Sequence, residues 1–170
     1  MSENSEPAFL VNAYSDPVII KLDGRASYLN SAPLRDFFNR MVSKGRRDFV
    51  LDFRDCTGMD STFLGIIAGA ALEARNAMPQ GTLVLCRLSK RNLELVRNLG
   101  LHRIVSVDCG DYQMDFDATD AKRLANPPCK NVEKARMILK AHEDLVDVDR
   151  KNRTKFQDVI SFLKNQVGPG

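Results

Sequence analysis

Apolar and polar positions along this chain alternate between two periods. Phe49-Val50-Leu51-Asp52-Phe53 is a β-rich run long enough for a buried strand, and residues 8–14 and 17–22 are two more, separated by the turn signal Ser15-Asp16-Pro17. The earlier two predict an opening antiparallel pair. Before the strand at 49–53 the period lengthens: Leu34, Phe37, Phe38, Met41 and Val42 recur at helical spacing, so one face of a helix is buried. Asn30 or Ser31 can cap that helix, Pro33 falls in its first turn, and Gly45 stops it. A short polar loop punctuated by Gly58 then leads into a helix over about residues 61–77. Gly65, Ala68, Gly69 and Leu72 share one stripe of this helix. A glycine inside a helix costs roughly 1 kcal/mol relative to alanine. The stripe therefore predicts a close approach, to the sheet in the first instance and to a partner protein in the second. Gly81 leads into a strand at about 82–86. Ser89 can cap a short helix that turns Leu93, Val96 and Leu99 or Leu95 inward and ends at Gly100, and a further strand runs over 104–107.

Strands alternating with helices at this rhythm imply right-handed βαβ crossovers and a partly parallel sheet. The expected fold class is α/β, a single mixed sheet of about four to five strands with helices mainly on one face, plus C-terminal helices. Three parts are expected: a sheet domain over 8–110, an acidic, Pro-containing linker over 111–130, and a helical extension over 131–167. Asp111, Asp115, Asp117 and Asp120 make the linker acidic, and Asn126-Pro127-Pro128 breaks regular structure. In the extension Val132, Ala135 and Leu139 form one apolar stripe, followed by Leu145 and Val146. Phe156, Ile160, Leu163 and Val167 form another, across the polar stretch Asp149 to Lys155. Such stripes must bury against something: the protein's own core, or a second copy in a homo-oligomer built through these helices.

Composition narrows the partners. A chain of 170 residues with 44% hydrophobic and 28% charged residues is that of an ordinary globular protein, one domain with an appendage. A net charge of +3, with acids interleaved as in Asp147-Val148-Asp149-Arg150-Lys151, does not call for a nucleic-acid partner. No apolar run approaches the roughly 20 residues of a membrane span, and Met1 to Glu6 lacks the pattern of a signal peptide, so a cytoplasmic location and no membrane partner are expected. Cys56, Cys86, Cys109 and Cys129 are far apart and read as free thiols. The histidines are His102 and His142. His142-Glu143-Asp144 on a charged helix reads as a solvent-facing group, so no metal site, cofactor or catalytic residue is expected.

The candidate chemistry lies at Asp60-Ser61-Thr62. A hydroxyl at the start of a helix faces the positive end of its dipole and its first backbone N–H groups, which together can hold a phosphate. That makes Ser61 a candidate phosphoacceptor, with Thr62 the weaker neighbour. The same residue types are also the commonest helix caps, and Asp60 or Ser61 can serve there.

Asp52-Phe53 with Met59-Asp60-Ser61-Thr62-Phe63-Leu64-Gly65 resembles the signature of the STAS family, the sulfate-transporter and anti-sigma-factor-antagonist domains. In that family a hydrophobic strand ends in Asp, and an Asp-Ser-Ser/Thr-Gly-Leu-Gly element opens the next helix. The likeness extends to Leu22-Asp23-Gly24-Arg25, Ser31-Ala32, Leu83-Val84-Leu85 and Leu99-Gly100-Leu101, and spans roughly residues 8–110. It implies a STAS-like sheet and a protein that binds a serine kinase or anti-sigma factor while Ser61 is unmodified. Phosphorylation would release the partner, and a phosphatase would reset the switch. Partner contacts would then involve Asp60, Thr62 and Phe63, with Ser27 and Asn30 near the place where the family often carries an Asp. Phe63 stands where the family usually has Gly, a bulkier first turn. Two other classes remain open. One is an unphosphorylated STAS scaffold or oligomerisation module of a larger signalling assembly, favoured by the long tail. The other is an enzyme, which would need an activated nucleophile. Ser61 has no histidine near it in sequence, so a base would have to be brought close in space, His102 for example.

Overall fold

The computed structural model describes residues 6–108 and 121–168. Strand β1 (Ala8–Asn12) pairs antiparallel with β2 (Val18–Ala26), as the turn signal predicts, and β2 pairs in parallel with β3 (Asp48–Met59). Strands β4 (Thr82–Cys86) and β5 (Ser106–Asp108) extend the sheet in parallel beyond β3. A two-residue strand β6 (Lys122–Arg123) pairs with the outer edge of β1, giving six strands in the order β5-β4-β3-β2-β1-β6. The count exceeds the expected four to five because β6 is a pair of cations with no alternating pattern; only the free edge of β1 makes it a strand.

The polar stretch after Phe53 is not a loop. Strand β3 continues to Met59 beside β2, pairing Asp23 with Asp55, Gly24 with Cys56 and Ala26 with Met59, and register shifts absorb the irregular residues. Gly24 has φ of +92°, and a Cβ there would lie 3.0 Å from Pro7 Cβ, so glycine is required on both counts. Phe49, Leu51 and Phe53 are all buried on the core side, where Phe38 of helix α1 (Ser31–Ser43) meets Phe49 edge-on at 5.1 Å. Phe63 of helix α2 (Ser61–Asn76) meets Phe53 edge-on at 6.2 Å. Helix α3 (Lys90–Asn98) starts at Ser89, whose hydroxyl accepts the Asn92 amide, and buries Asn92 and Val96. Gly100 then opens a 3-10 turn (Leu101–Arg103), which delays β5 past the expected residue 104.

The extension forms helices α4 (Asn131–Val148) and α5 (Asn152–Val167). The buried stripe of α4 is Met137, Ala141 and Leu145, at 2%, 1% and 0% exposure, in the same core cluster as the sheet residues. The expected stripe of Val132, Ala135 and Leu139 is rotated away from this face: Val132 is exposed, and Ala135 and Leu139 are half-buried. Helix α5 buries Leu163, leaves Phe162 and Val159 exposed, and places Phe156 against the ring of His142 at 4.9 Å. Asn152, wholly buried, donates its side-chain amide to the carbonyls of Leu99 and Leu145 and so pins the α4–α5 corner to the end of α3. The expected linker stretch 111–120, and Cys109, lie outside the described residues.

Candidate functional site

The start of α2 is built by Asp60. Its backbone is extended, its amide donates to the Ala26 carbonyl, and its carboxylate accepts from two directions. One oxygen takes the Phe63 amide at 2.9 Å, the helix-capping bond. The other takes the Tyr28 amide at 2.8 Å, from the loop that joins β2 to α1. Asp60 therefore caps the helix and holds that loop beside it. One of the backbone amides expected to be free for a phosphate is committed to this cap. In the same loop the Asn30 carboxamide accepts from the Ser27 amide and donates to the Arg25 carbonyl, each at 2.9 Å. The Ser31 hydroxyl donates to the Ser27 carbonyl at 2.6 Å. These bonds account for the burial of Ser27 and Asn30 at 5% and 7% exposure.

Ser61, the first residue of α2, is half-buried, and its hydroxyl lies 2.8 Å from His142 Nε2 on α4. His142 Nδ1 lies 2.7 Å from the Ile138 carbonyl, which can only accept, so Nδ1 carries the proton. In the neutral ring Nε2 is then the acceptor and the Ser61 O–H the donor. His142 is 3% exposed. The expectation of a solvent-facing histidine is corrected: it sits three residues before the buried Leu145, at the edge of the inward face of α4. The sequence pattern hides it because the buried stripe of α4 is Met137, Ala141 and Leu145, not Val132, Ala135 and Leu139, and because acidic neighbours suggest a wet surface. The expected candidate for a spatial neighbour was His102; the histidine that meets Ser61 is His142.

Among the residues expected to contact a partner, Asp60 is half-buried and engaged as above. Thr62 is 4% exposed. Phe63 is fully buried, stacked on Phe9 with ring centres 6.0 Å apart. The bulky residue that replaces the family's Gly therefore fills the core between helix and sheet, and direct contact of its side chain with a partner is not available in this arrangement. The exposed residues beside the Asp60 cap are Tyr28 and Leu29 in the loop.

The small-residue stripe of α2 answers to α4, not to the sheet. A Cβ built on Gly65 would lie 2.3 Å from the Ala141 carbonyl oxygen, and one on Gly69 would lie 2.6 Å from Asp144 Oδ2. Asp144 is buried and paired with Lys140 at 2.5 Å. Burial raises the Asp144 carboxyl above its ordinary value, and the Lys140 hydrogen bond only partly opposes it. The same bond raises Lys140. Because the Lys140 side chain is 70% exposed, solvent screens its side of the pair, and the burial of Asp144 decides the balance. On the opposite face of β3, Asp52 is 1% exposed and held by Arg87, which has φ of +56°. Cys56 and Cys86 are buried free thiols and Cys129 is a half-buried one, and burial raises both Cys56 and Cys86. Among the described residues no group of three His, Cys, Asp or Glu side chains is arranged to hold a metal ion, and no helix is long and apolar enough to cross a membrane.

A mixed sheet whose central strand passes directly into a helix opening Asp-Ser-Thr, with a β2–α1 loop fastened to that opening, is the arrangement of a STAS-type domain. A family model described as "Mlab, STAS domain" matches residues 9–106, more than half of the chain, and the chain belongs to that family. Among solved structures it is similar to the anti-sigma factor antagonist SpoIIAA in its unphosphorylated form, at 19% identity over 66% of this chain and 93% of that one, with a TM-score of 0.49. It is also similar to the Bacillus cell fate determinant SpoIIAA in the phosphorylated form, at 19% identity over 59% and 91%, with a TM-score of 0.50. At this identity the second likeness speaks for the fold alone. No curated protein matches. Helices α4 and α5 lie beyond the residues matched by the family model.

Proposed function

We propose that this chain is a phosphorylatable protein-binding switch of the anti-sigma-factor-antagonist kind, working in the cytoplasm. It binds a serine kinase or anti-sigma factor while Ser61 is unmodified, is released when that kinase phosphorylates Ser61, and is reset by a phosphatase. The observation that carries the reading is the placement of Ser61 as the first residue of α2, directly after the Asp60 cap and beside the exposed Tyr28-Leu29 loop. A phosphoserine adds about −1.5 to −2 charges. The start of a helix offsets part of that, by roughly 0.3–1 kcal/mol at an exposed site, whereas an apolar partner surface would not. The fold then survives while the interface fails. On this reading the chain is substrate and ligand and carries no catalytic residue. The Ser61–His142 pair does not alter this, because a backbone carbonyl fixes the tautomer of His142 but supplies no charge to stabilise an imidazolium, as a buried carboxylate would.

A second reading is an unphosphorylated scaffold module that oligomerises through its C-terminal helices, with Ser61 a packing residue. The hydrogen bond that Ser61 makes to a buried histidine favours it. A pull-down from native extract with wild-type and Ser61→Asp baits, read by mass spectrometry, separates the two. The switch requires a kinase or regulator captured by wild type and lost with Ser61→Asp. Identical captures by both baits overturn it.

A further inference from the structure

Helix α4 lies over the start of α2 and makes the one side-chain hydrogen bond described for Ser61. We infer that α4 is a cis-acting cover on Ser61, and that a phosphate on Ser61 prevents it from re-docking, so that the C-terminal helices report the phosphorylation state. The inference deepens the reading above and rests on Ser61 being the acceptor.

Three observations support the cover. The Ser61 hydroxyl donates to His142, which is itself almost wholly buried and braced by Phe156 of α5. One turn further along, Gly65 lets the α4 backbone approach so closely that a Cβ would overlap the Ala141 carbonyl. Met137 and Leu145, on the same face, are buried in the core. A kinase that must surround the Ser61 hydroxyl therefore has to displace α4 first. The Asn152 bonds to Leu99 and Leu145, and the Lys155 bond to the Asn98 carbonyl, anchor the C-terminal corner of α4 one turn beyond His142, so α4 can lift from its N-terminal end through His142 without leaving the protein.

The same geometry opposes re-docking after modification. In the transfer, the Ser61 O–H proton leaves, an O–P bond forms to the γ-phosphoryl group of a nucleoside triphosphate, and the nucleoside diphosphate departs. The phosphate dianion has no hydrogen to give the neutral His142 ring, so the bond re-forms only if Nε2 takes up a proton, and a phosphoryl group now occupies the space of one hydroxyl hydrogen. Closing α4 would then have to fit the phosphate beside the buried His142 ring, one turn from the Gly65–Ala141 contact that is already at its packing limit.

The test uses the full chain and needs no kinase: phosphoserine is incorporated at position 61 during translation, and amide hydrogen exchange is followed by mass spectrometry. The expected result is faster exchange across residues 134–147 by about tenfold or more, the factor that one lost buried hydrogen bond carries. Exchange in β2, β3 and β4 should stay unchanged, which shows that the domain remains folded. Ser61→Glu, which brings charge with less bulk, should show the same pattern more weakly. Unchanged protection of α4 in both proteins overturns the inference. The reading of Ser61 as acceptor fails by a different route, when the pull-down returns the same partners with and without the Ser61→Asp substitution.

Discussion

Gly65→Ala sets two physical effects against each other and so tests where the small-residue stripe makes its contact. In an isolated helix alanine is better than glycine by roughly 0.8–1 kcal/mol. Here the added Cβ would lie 2.3 Å from the Ala141 oxygen, 2.5 Å from its carbonyl carbon and 2.6 Å from its Cβ. Ordinary carbon contacts lie at about 3.5–4.0 Å, so α4 has to retreat by about 1 Å. The nearest obstacles are backbone atoms, which cannot rotate aside, so the cost belongs in the upper part of the roughly 1–3 kcal/mol typical of overpacking. The net expectation is a loss of about 1–2 kcal/mol. At about 2–4 °C per kcal/mol for a domain of this size, the Tm should fall by about 2–8 °C. Gly69→Ala is the control. Its Cβ would meet only the end of the Asp144 side chain, at 2.6 Å, which can swing away, so its Tm should stay much closer to wild type. Thermal melts followed by circular dichroism at fixed protein concentration are sufficient. A Gly65→Ala protein as stable as wild type, or more stable, would refute the close packing of α2 on α4.

Further outcomes follow from the same contacts. Asp144→Asn should raise the Tm at neutral pH. A carboxyl whose folded pKa is raised by burial contributes stability below its unfolded value and loses it as pH rises through the folded one, so the gain should shrink as melts are repeated toward pH of about 4. Arg87→Met should cost about 1–3 kcal/mol in a denaturant titration, less than a fully buried pair because Arg87 is 37% exposed, and Asp52→Leu added to it should recover part of the loss by removing the stranded carboxylate. Leu145→Ala, at a fully buried position, should cost about 2–5 kcal/mol and speed exchange in α4, whereas Val132→Ala, 46% exposed, should do neither. Removing residues 121–170 should leave a cooperatively unfolding sheet domain that is weaker by at least about 3 kcal/mol, the burial of Met137 and Leu145 alone; an insoluble product would show that α4 is indispensable to the core.

The local rules of the chain determined most of the sheet domain. Alternating apolar runs marked β1 to β4, the turn at Ser15-Asp16-Pro17 set the antiparallel pair, and the periodicity from Leu34 to Val42 fixed α1. Asp60 and Ser89 are caps because a short side-chain acceptor next to an apolar periodic run has few other roles. What needed the tertiary structure were contacts between segments far apart in sequence. A two-residue strand exists only because an edge is there to receive it. The continuation of β3 to Met59 depends on pairing with β2, which carries polar residues that would otherwise form a loop. A glycine stripe records that something comes close but not what, and only the docked fold shows that the neighbour is Ala141 of α4. The meeting of Ser61 with His142, 81 positions away, leaves no periodic trace, because a single polar residue on a helix face is indistinguishable by pattern from a solvated one until the opposing surface is in place.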